Sequence, residues 1–193
     1  MWAIVESNKI KEVFKNAKPL VISDITYPAN IFGNWSASEL EAIGIYAVNF
    51  DNTNYKDPKW YNNTNQTFNF ANSKVTASYG DAVAKEINDY DVTYDGQTIR
   101  NDGLKTIYKN SINKSASGLL QPYDWYALRE MEGGTAIPSN IKTWRANVRA
   151  KANEMCTKID ACSDVDALAT LFTYVDDGSG NLTRPLGEFP ELS

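Results

Sequence analysis

The chain has 193 residues, of which 42% are hydrophobic and 22% are charged, a composition typical of an ordinary globular protein. Its net charge of −5 argues against nucleic acid as the main partner, because such binding depends on basic residues that neutralise phosphates. The sequence contains no histidine, which excludes histidine-based catalytic triads and histidine zinc sites and leaves only carboxylates, lysine or tyrosine for catalysis. We predict a non-enzyme with no catalytic residue, metal or cofactor.

The first elements are predicted to be strands. Apolar residues alternate with polar ones on both sides of Ser7 and Asn8, a pattern that indicates a β-hairpin. Further along, Ser36 followed by Glu39 fits a capping box, which predicts a short helix that ends at Gly44. No stretch approaches the ~20 consecutive apolar residues of a bilayer-spanning helix, so no membrane insertion is expected.

A second hairpin is predicted around the turn residues Asn72 and Ser73, with aromatic residues on one face. Two interpretations of this face remain open. Alternating aromatics most often form the packed side of a sheet. The same region could instead bind host glycans through Trp60, Tyr61, Phe68, Phe70 and Tyr79. Exposure of these rings would favour glycan binding, and burial would argue against it.

The pattern of apolar and polar residues changes near the middle of the chain. A brief helix is predicted over 82–87, after which periodicity is lost among Asp, Asn and Gly. We therefore predict a β-rich N-terminal region over residues 1–98 and a mainly helical region over residues 99–193.

Two helices are predicted in the second region. Apolar spacing from Leu104 to Leu120 predicts the first, which should end before Pro122. The second begins at Ser139, beyond a Gly133-Gly134 turn, and carries one apolar stripe: Ile141, Trp144, Val148, Ala152, Met155 and Ile159. Such a stripe must be buried, so the two helices should pack on each other.

The predicted fold is therefore α+β: N-terminal antiparallel β hairpins with a short helix, followed by a C-terminal helical hairpin and an extended tail. A third short helix, capped by the Ser163 and Asp166 pair, should close the hairpin. The apolar stripes suit a core or a symmetric interface equally well, so the oligomeric state stays open.

Three arginines are candidate binding residues. Arg145 and Arg149 lie one helical turn apart, and Arg129 lies across the Gly-Gly turn, so together they could clamp a carboxylate or phosphate. The simpler interpretation pairs them with Glu130, Glu132 and Glu154. Trp125 and Trp144 could stack on a sugar or base, but core or interface packing is favoured.

Other sites have weaker signals. A carboxylate-dependent glycosidase needs two converging carboxylates, and the spacing singles out no pair among Asp91, Asp95, Asp124, Glu130 and Glu132. The segment Asp176–Asn181 is similar to a calcium loop but lacks the glutamate at the twelfth position, where Gly187 stands, so we predict a plain turn. Cys156 and Cys162 lie roughly 240° apart on a helix, which indicates buried thiols in a reducing compartment.

One dense stretch resembles a known family. Asp124-Trp125 with Arg129, then Ile137-Pro138, then Trp144-Arg145 and Val148-Arg149, resembles the DW…R…IP…(W/Y)R…(L/V)R pattern of tailed-phage tail assembly chaperones and tail fibre assembly proteins. The ending Gly187-Glu188-Phe189-Pro190 is similar to the aromatic-proline ending of such proteins. Upstream, Trp35-Ser36, Glu39-Leu40, Gly44-Ile45-Tyr46 and Asn65-Gln66-Thr67-Phe68 resemble small structural proteins of marine phages.

The resemblance implies a virion structural component or an assembly factor that binds a phage tail or tail fibre protein. It would be found in the virion tail or, during assembly, in the host cytoplasm. It further implies that Trp125 and Trp144 pin two elements across the Gly-Gly turn, while Arg145 and Arg149 secure that geometry or a partner's carboxylates. The expected partner-binding residues are Trp125, Arg129, Trp144, Arg145 and Arg149.

Overall fold

A computed structural model describes residues Met1–Leu192, and Ser193 lies outside the described residues. The protein is α+β, with strands first and most of the helices later. It forms two compact units, one from Met1 to Val83 and the other from Ala84 onward. The predicted fold class is thereby confirmed, while the units divide upstream of the expected boundary at residue 98.

The first unit contains eight complete strands and two short helices. The strands are β1 (Trp2–Glu6), β2 (Lys9–Phe14), β3 (Leu20–Ile22), β4 (Ile25–Tyr27), β5 (Ile45–Asp51), β6 (Tyr61–Asn62), β7 (Thr67–Ala71) and β8 (Lys74–Ser78). The helices are α1 (Ile31–Asn34) and α2 (Ala37–Ala42). A further two-residue strand, β9 (Val83–Ala84), replaces the helix expected over 82–87.

Both predicted hairpins belong to one five-stranded sheet of order β2-β1-β5-β8-β7. Ser7 and Asn8 at the first turn, and Asn72 and Ser73 at the second, all have positive φ, as tight hairpin turns require. The hairpins are antiparallel, but β5 pairs with β8 in parallel. The parallel pairing of β5 with β8 departs from the antiparallel expectation; it requires a long connection, which residues 52–73 supply.

Helix α2 begins with the predicted capping box. The Ser36 hydroxyl accepts a hydrogen bond from the Glu39 backbone N–H, and the Glu39 carboxylate accepts one from the Ser36 backbone N–H. These hydrogen bonds lower the pKa of Glu39, the backbone bond being the larger cause. Gly44 follows the helix with φ +84°, so the predicted stop is confirmed.

The second unit combines hairpins and helices. Its hairpin strands are β10 (Tyr90–Tyr94) with β11 (Gln97–Asn101), and β12 (Val175–Asp176) with β13 (Leu182–Thr183). The helices are α3 (Leu104–Leu120), α4 (Asp124–Met131), α5 (Ser139–Asp160) and α6 (Val165–Phe172), and a 3-10 turn covers Gln121–Tyr123.

The β10–β11 hairpin was not expected, and it belongs to the helical unit. The Gly103 N–H donates to the Asp89 carboxylate, and the Leu104 and Lys105 N–H groups donate to the carbonyls of Glu86 and Ile87. These contacts satisfy the first backbone donors of α3, which has no side-chain cap at Gly103. The segment before the hairpin, residues 86–89, therefore belongs to the helical unit, because it accepts hydrogen bonds from the first turn of α3.

Helices α3 and α5 pack on each other, as their apolar spacing predicted. All six residues of the α5 stripe are buried. On α3 three residues are buried: Leu104, Ile112 and Ala116. Helix α3 ends at Leu120, two residues before Pro122. The helical hairpin was predicted correctly, but α4 between its arms was not separated from it.

The C-terminal segment lies against the helices of its own unit. The Leu186 side chain is fully buried, and its N–H donates to the Leu171 carbonyl at the end of α6. Helix α6 is capped by Asp164, whose carboxylate accepts from the Ala167 N–H, rather than by Ser163 as expected. The tail is thus an ordered extended strap.

A candidate partner-binding surface around helix α4

Arg145 on α5 is the only charged residue whose whole side chain is buried among residues 1–192, with 7% relative exposure. Its guanidinium donates to the Asp124 carboxylate on α4 at 2.7 Å and to the Leu120 carbonyl at 3.0 Å. A buried guanidinium is costly unless its donors are satisfied. Arg145 therefore ties the end of α3 and the start of α4 to α5.

The expected glutamate partners of the arginines are wrong. Arg145 pairs instead with Asp124, a motif residue that was not expected as its partner. Glu154 pairs with Lys151 and Lys158, one turn away on its own helix, because these bonds need no long-range placement. Glu130 and Glu132 form no ion pair within residues 1–192.

Arg129 holds the turn between α4 and α5. Its side chain donates to the Thr135 carbonyl at 3.0 Å and to the Ala136 carbonyl at 3.4 Å. The guanidinium carbon also lies 4.9 Å from the centroid of the Trp125 ring and 5.1 Å from that of Tyr126, within the range of a cation–π interaction. Arg129 is thus a positioning residue for the turn and for two aromatic rings.

The Gly133-Gly134 turn closes α4 with a Schellman motif. The Gly134 N–H donates to the Arg129 carbonyl at 2.9 Å, and the Gly133 N–H donates to the Glu130 carbonyl at 3.2 Å. Gly133 has φ +79°, a left-handed conformation that glycine adopts most easily. A Cβ on Gly134 would lie 2.9 Å from the Arg129 carbonyl oxygen, so both glycines are required by the turn.

Trp144 and Trp125 have different surroundings: Trp144 joins α5 to Tyr123 across the Gly-Gly turn, as expected, whereas Trp125 contacts Tyr126 and Arg129 of its own helix. Trp144 is buried, its ring meets Tyr123 edge to face at 5.0 Å, and its indole N–H donates to the Pro190 carbonyl at 2.8 Å. Trp125 is half exposed and stacks on Tyr126 with ring centroids 3.8 Å apart. Trp144 fixes the tail, while Trp125 contributes to the surface.

Helix α4 presents an exposed apolar face. Trp125, Leu128 and Met131 recur at intervals of three residues on one side of the helix, and Leu128 and Met131 are 60% and 83% exposed. Exposed apolar residues are normal when scattered, but a contiguous stripe that includes Trp and Met is typical of protein interfaces. Leu128 and Met131 are the functional candidates that the sequence analysis missed, since it did not place a separate helix here.

A polar groove of about 400 Å³ lies beside the ion pair of Arg145 and Asp124. Arg149 is exposed in this groove, and its one hydrogen bond within residues 1–192 goes to the Arg145 carbonyl at 3.4 Å. Asn113 and Asn153 also line the groove. The guanidinium of Arg149 therefore retains N–H donors that could bind an incoming carboxylate. Paired N–H donors of arginine fit the two oxygens of a carboxylate well.

The aromatic residues of the first unit do not form an exposed platform. Trp60 and Tyr61 are buried, and lysine ammonium groups lie over both rings: Lys59 at 4.6 Å from Trp60 and Lys56 at 4.2 Å from Tyr61. Phe68 and Phe70 are half-buried and pack on the core beneath the sheet, and Tyr79 lies 5.1 Å from Tyr55. This arrangement matches the packing interpretation.

Several acidic side chains accept local hydrogen bonds. Within residues 1–192, every carboxyl pKa that departs clearly from its ordinary value is lowered, as for Asp51 beside Thr53 and Asp177 beside the Ser179 amide. Asp176 and Asp177 accept hydrogen bonds from the backbone N–H groups of their own loop, which forms the predicted turn. The described residues contain no cluster of three or more metal-ligating side chains.

The two thiols are free, and burial raises the pKa of both Cys156 and Cys162. Raised thiol pKa values disfavour the reactive thiolate form.

Among residues 1–192, no helix has both the length and the apolar character needed to cross a bilayer.

Comparison of the chain with protein-family models, curated proteins and solved structures gave no match.

Proposed function

We propose that this protein is a tail-associated protein of a tailed bacteriophage, either a virion structural component or a tail fibre assembly factor, and that it acts by binding another tail protein. The observation that carries the proposal is the connectivity of the motif residues. Asp124 bonds to Arg145, Arg129 stacks on Trp125, and Trp144 bonds to Pro190 of the proline-containing ending. Motif residues that lie far apart in sequence thus contact one another and support a single surface element, helix α4.

The motif residues divide into two roles. Arg145 and Trp144 are buried and position α4 and the tail, so they act on a partner indirectly. Trp125, Leu128 and Met131 are exposed and available for direct contact. Binding energy at protein interfaces is concentrated in a few central anchors, and Trp is prominent among them. Helix α4 is accordingly the proposed docking element.

Arg149 would add specificity to this docking. It is the exposed arginine of the motif, and it lines a polar groove next to the start of α4. A partner that places an acidic side chain there would gain a charge-assisted hydrogen bond and a fixed orientation on α4. The proposed partner segment is therefore apolar where it meets α4 and acidic where it meets Arg149.

The alternative functions have less support. A glycan-binding module needs accessible aromatic rings, and Trp60 and Tyr61 are buried. A glycosidase needs two carboxyl groups that converge on one substrate, whereas Asp91 pairs with Arg100 and Asp124 pairs with Arg145. The proposal remains that of a binding protein.

Site-specific photo-crosslinking tests this proposal. A photoreactive amino acid is introduced at Leu128 in the phage-encoded gene, and a matched control carries it at Lys114, an exposed position on α3. Irradiation of infected cells during tail assembly should give a discrete cross-linked band with a tail or tail fibre protein from Leu128 and not from Lys114. Equal cross-linking from both positions, or none to any tail component, would exclude α4 as the docking element.

A further inference from the structure

The β10–β11 hairpin has one polar face, on which side chains pair across the two strands. Asp91 lies opposite Arg100, and their side chains form an ion pair at 3.3 Å. Thr93 lies opposite Thr98, and their hydroxyls are 3.2 Å apart. Directly opposed side chains share a face of a two-stranded ladder, so these four residues form a continuous polar surface.

The other face is apolar and exposed. Tyr90, Val92 and Tyr94 alternate along β10, and Val92 lies opposite Ile99 of β11. All four side chains are exposed, with Tyr94 at 78%. A two-stranded hairpin is only marginally stable alone in water, and an apolar face of this kind usually has a cover.

The outer edge of β10 has no strand partner among the described residues, because its sheet contains β11 alone. Exposed edges are commonly blocked by proline, lysine or a bulge. The sequence of β10, YDVTY, has no proline or lysine, and its register with β11 is regular. This edge retains free backbone donors and acceptors for a further strand.

The hairpin region is also strongly acidic. Residues 85–103, which lie between β9 and α3, contain five carboxylates and two basic residues, Lys85 and Arg100, which is a net charge of 2 − 5 = −3. Asp91 lies on β10 itself, on the opposite face from Val92, and its side chain is 53% exposed although Arg100 contacts its Oδ1. A strand added to this edge would therefore meet apolar groups on one face and a carboxylate on the other.

We propose that the β10 edge binds an extended segment of another protein in which basic and apolar residues alternate. The incoming strand would continue the ladder, place its apolar side chains beside Tyr90, Val92 and Tyr94, and place its Lys or Arg side chains towards Asp91. The exposed tyrosine rings would also attract cations that flank the strand. This surface is separate from α4 and does not depend on the phage assignment.

Charge selects this occupant over a second copy of the chain. Two β10 edges paired antiparallel would bring together two regions that each carry a net charge of −3. The repulsion between two such acidic regions opposes that pairing. A basic strand instead gains attraction from the same carboxylates, and its affinity should fall with increasing salt.

The test is an NMR titration of the full-length ¹⁵N-labelled chain with a blocked eight-residue peptide of alternating Lys and Val. We expect saturable shifts of the residue 90–94 amides, weakened by salt, and no binding of the matched peptide with Glu in place of Lys. The Val92→Thr/Tyr94→Thr variant, which keeps good strand formers, should bind about tenfold more weakly. The control Thr93→Ser, on the polar face, should bind like the wild type.

Three outcomes would overturn the proposal. The first is the absence of saturable binding by the Lys-Val peptide. The second is equal binding of the Glu-Val peptide, which would show that charge does not select the strand. The third is concentration-dependent self-association that the Val92→Thr/Tyr94→Thr variant abolishes, since a second copy would then cover the face. A failure here would leave cross-linking at Leu128 unaffected, so the two proposals can be separated.

Discussion

The Arg145 guanidinium lies 2.7 Å from the Asp124 carboxylate, although the two residues belong to different helices and differ greatly in exposure. Arg145 is buried, while more than half of the Asp124 side chain is exposed. The arginine therefore depends on its partners more than the aspartate does, because an unsatisfied buried guanidinium is costly. This asymmetry makes Asp124 the residue through which the bond can be tested without opening a cavity.

Asp124→Asn should lower the free energy of unfolding by about 1–2 kcal/mol, since a neutral amide replaces a charged acceptor at a partly exposed site. Urea denaturation measures the change. Glu132→Gln is the matched control, because Glu132 is exposed and forms no ion pair within residues 1–192. An equal effect of the two substitutions would contradict the proposed role of the bond.

Trp144→Phe should loosen the C-terminal strap. The substitution keeps an aromatic ring but removes the indole donor to Pro190, with a loss of about 1 kcal/mol. Limited proteolysis should release the residues after Leu186 faster than in the wild type. Trp125→Phe, a change at a half-exposed ring, should leave the cleavage rate unchanged; faster cleavage in this control would mean that the tail is not held by Trp144 specifically.

Gly134→Ala should destabilise the α4–α5 turn. The added Cβ would lie 2.8 Å from the Arg129 Cγ and 2.9 Å from its carbonyl oxygen, so the Schellman motif must shift, at a cost of about 1–2 kcal/mol. Gly118→Ala is a control of opposite sign, because Gly118 lies within α3 with no atom within 4 Å of the new methyl group. It should stabilise the helix by up to ~1 kcal/mol. Thermal unfolding of both variants would show whether the signs differ.

Acidification should weaken α6 through its cap. The Ala167 backbone N–H and, secondarily, the Ser163 hydroxyl lower the pKa of Asp164 from its ordinary 3.8. Because the pKa is lower in the folded state than in the unfolded state, the carboxylate stabilises the fold above that ordinary value. Its contribution is lost as the pH falls through the folded-state pKa.

Asp164→Asn isolates this effect, because asparagine also caps helices but does not titrate in this range. The variant should lose less stability than the wild type between pH 5 and pH 3, as measured by urea midpoints at each pH. If the urea midpoints of the two proteins fell equally with pH, Asp164 would not contribute to the loss of stability at acidic pH.

Leu128→Ser combined with Met131→Gln should separate binding from folding. Both side chains are exposed, so the free energy of unfolding should change by less than about 0.5 kcal/mol. Cross-linking from an adjacent position, Trp125, to a tail component should nevertheless be lost. Retained cross-linking in the double variant would show that this apolar face is not the contact surface.

The elements that were predicted correctly depend on residues close together in sequence. They are the turn at Ser7 and Asn8, the capping box at Ser36 and the stripe on α5. In each of them the spacing of residues alone identifies the element. The β10–β11 hairpin had such a signal in Asp95-Gly96, a favoured hairpin turn flanked by alternating residues. It was missed because the surrounding Asp and Asn residues also fit a loop.

Long-range partners could not be predicted from spacing. The pairing of Arg145 with Asp124 depends on how α4 crosses α5, and nearby glutamates were equally plausible partners. The parallel pairing of β5 with β8 likewise depends on the whole sheet. The exposure of Leu128 and Met131 follows from the position of α4, since the same spacing would suit a buried helix face.

The most direct test of the central claim is quantitative mass spectrometry of purified virions and of tail-assembly intermediates isolated from infected cells. We predict that the protein is present at a fixed ratio to a tail protein in at least one of these fractions. A fixed ratio in virions would identify a structural component, and a fixed ratio only in intermediates would identify an assembly factor. Its absence from both fractions, despite abundance in the lysate, would contradict a tail-associated function.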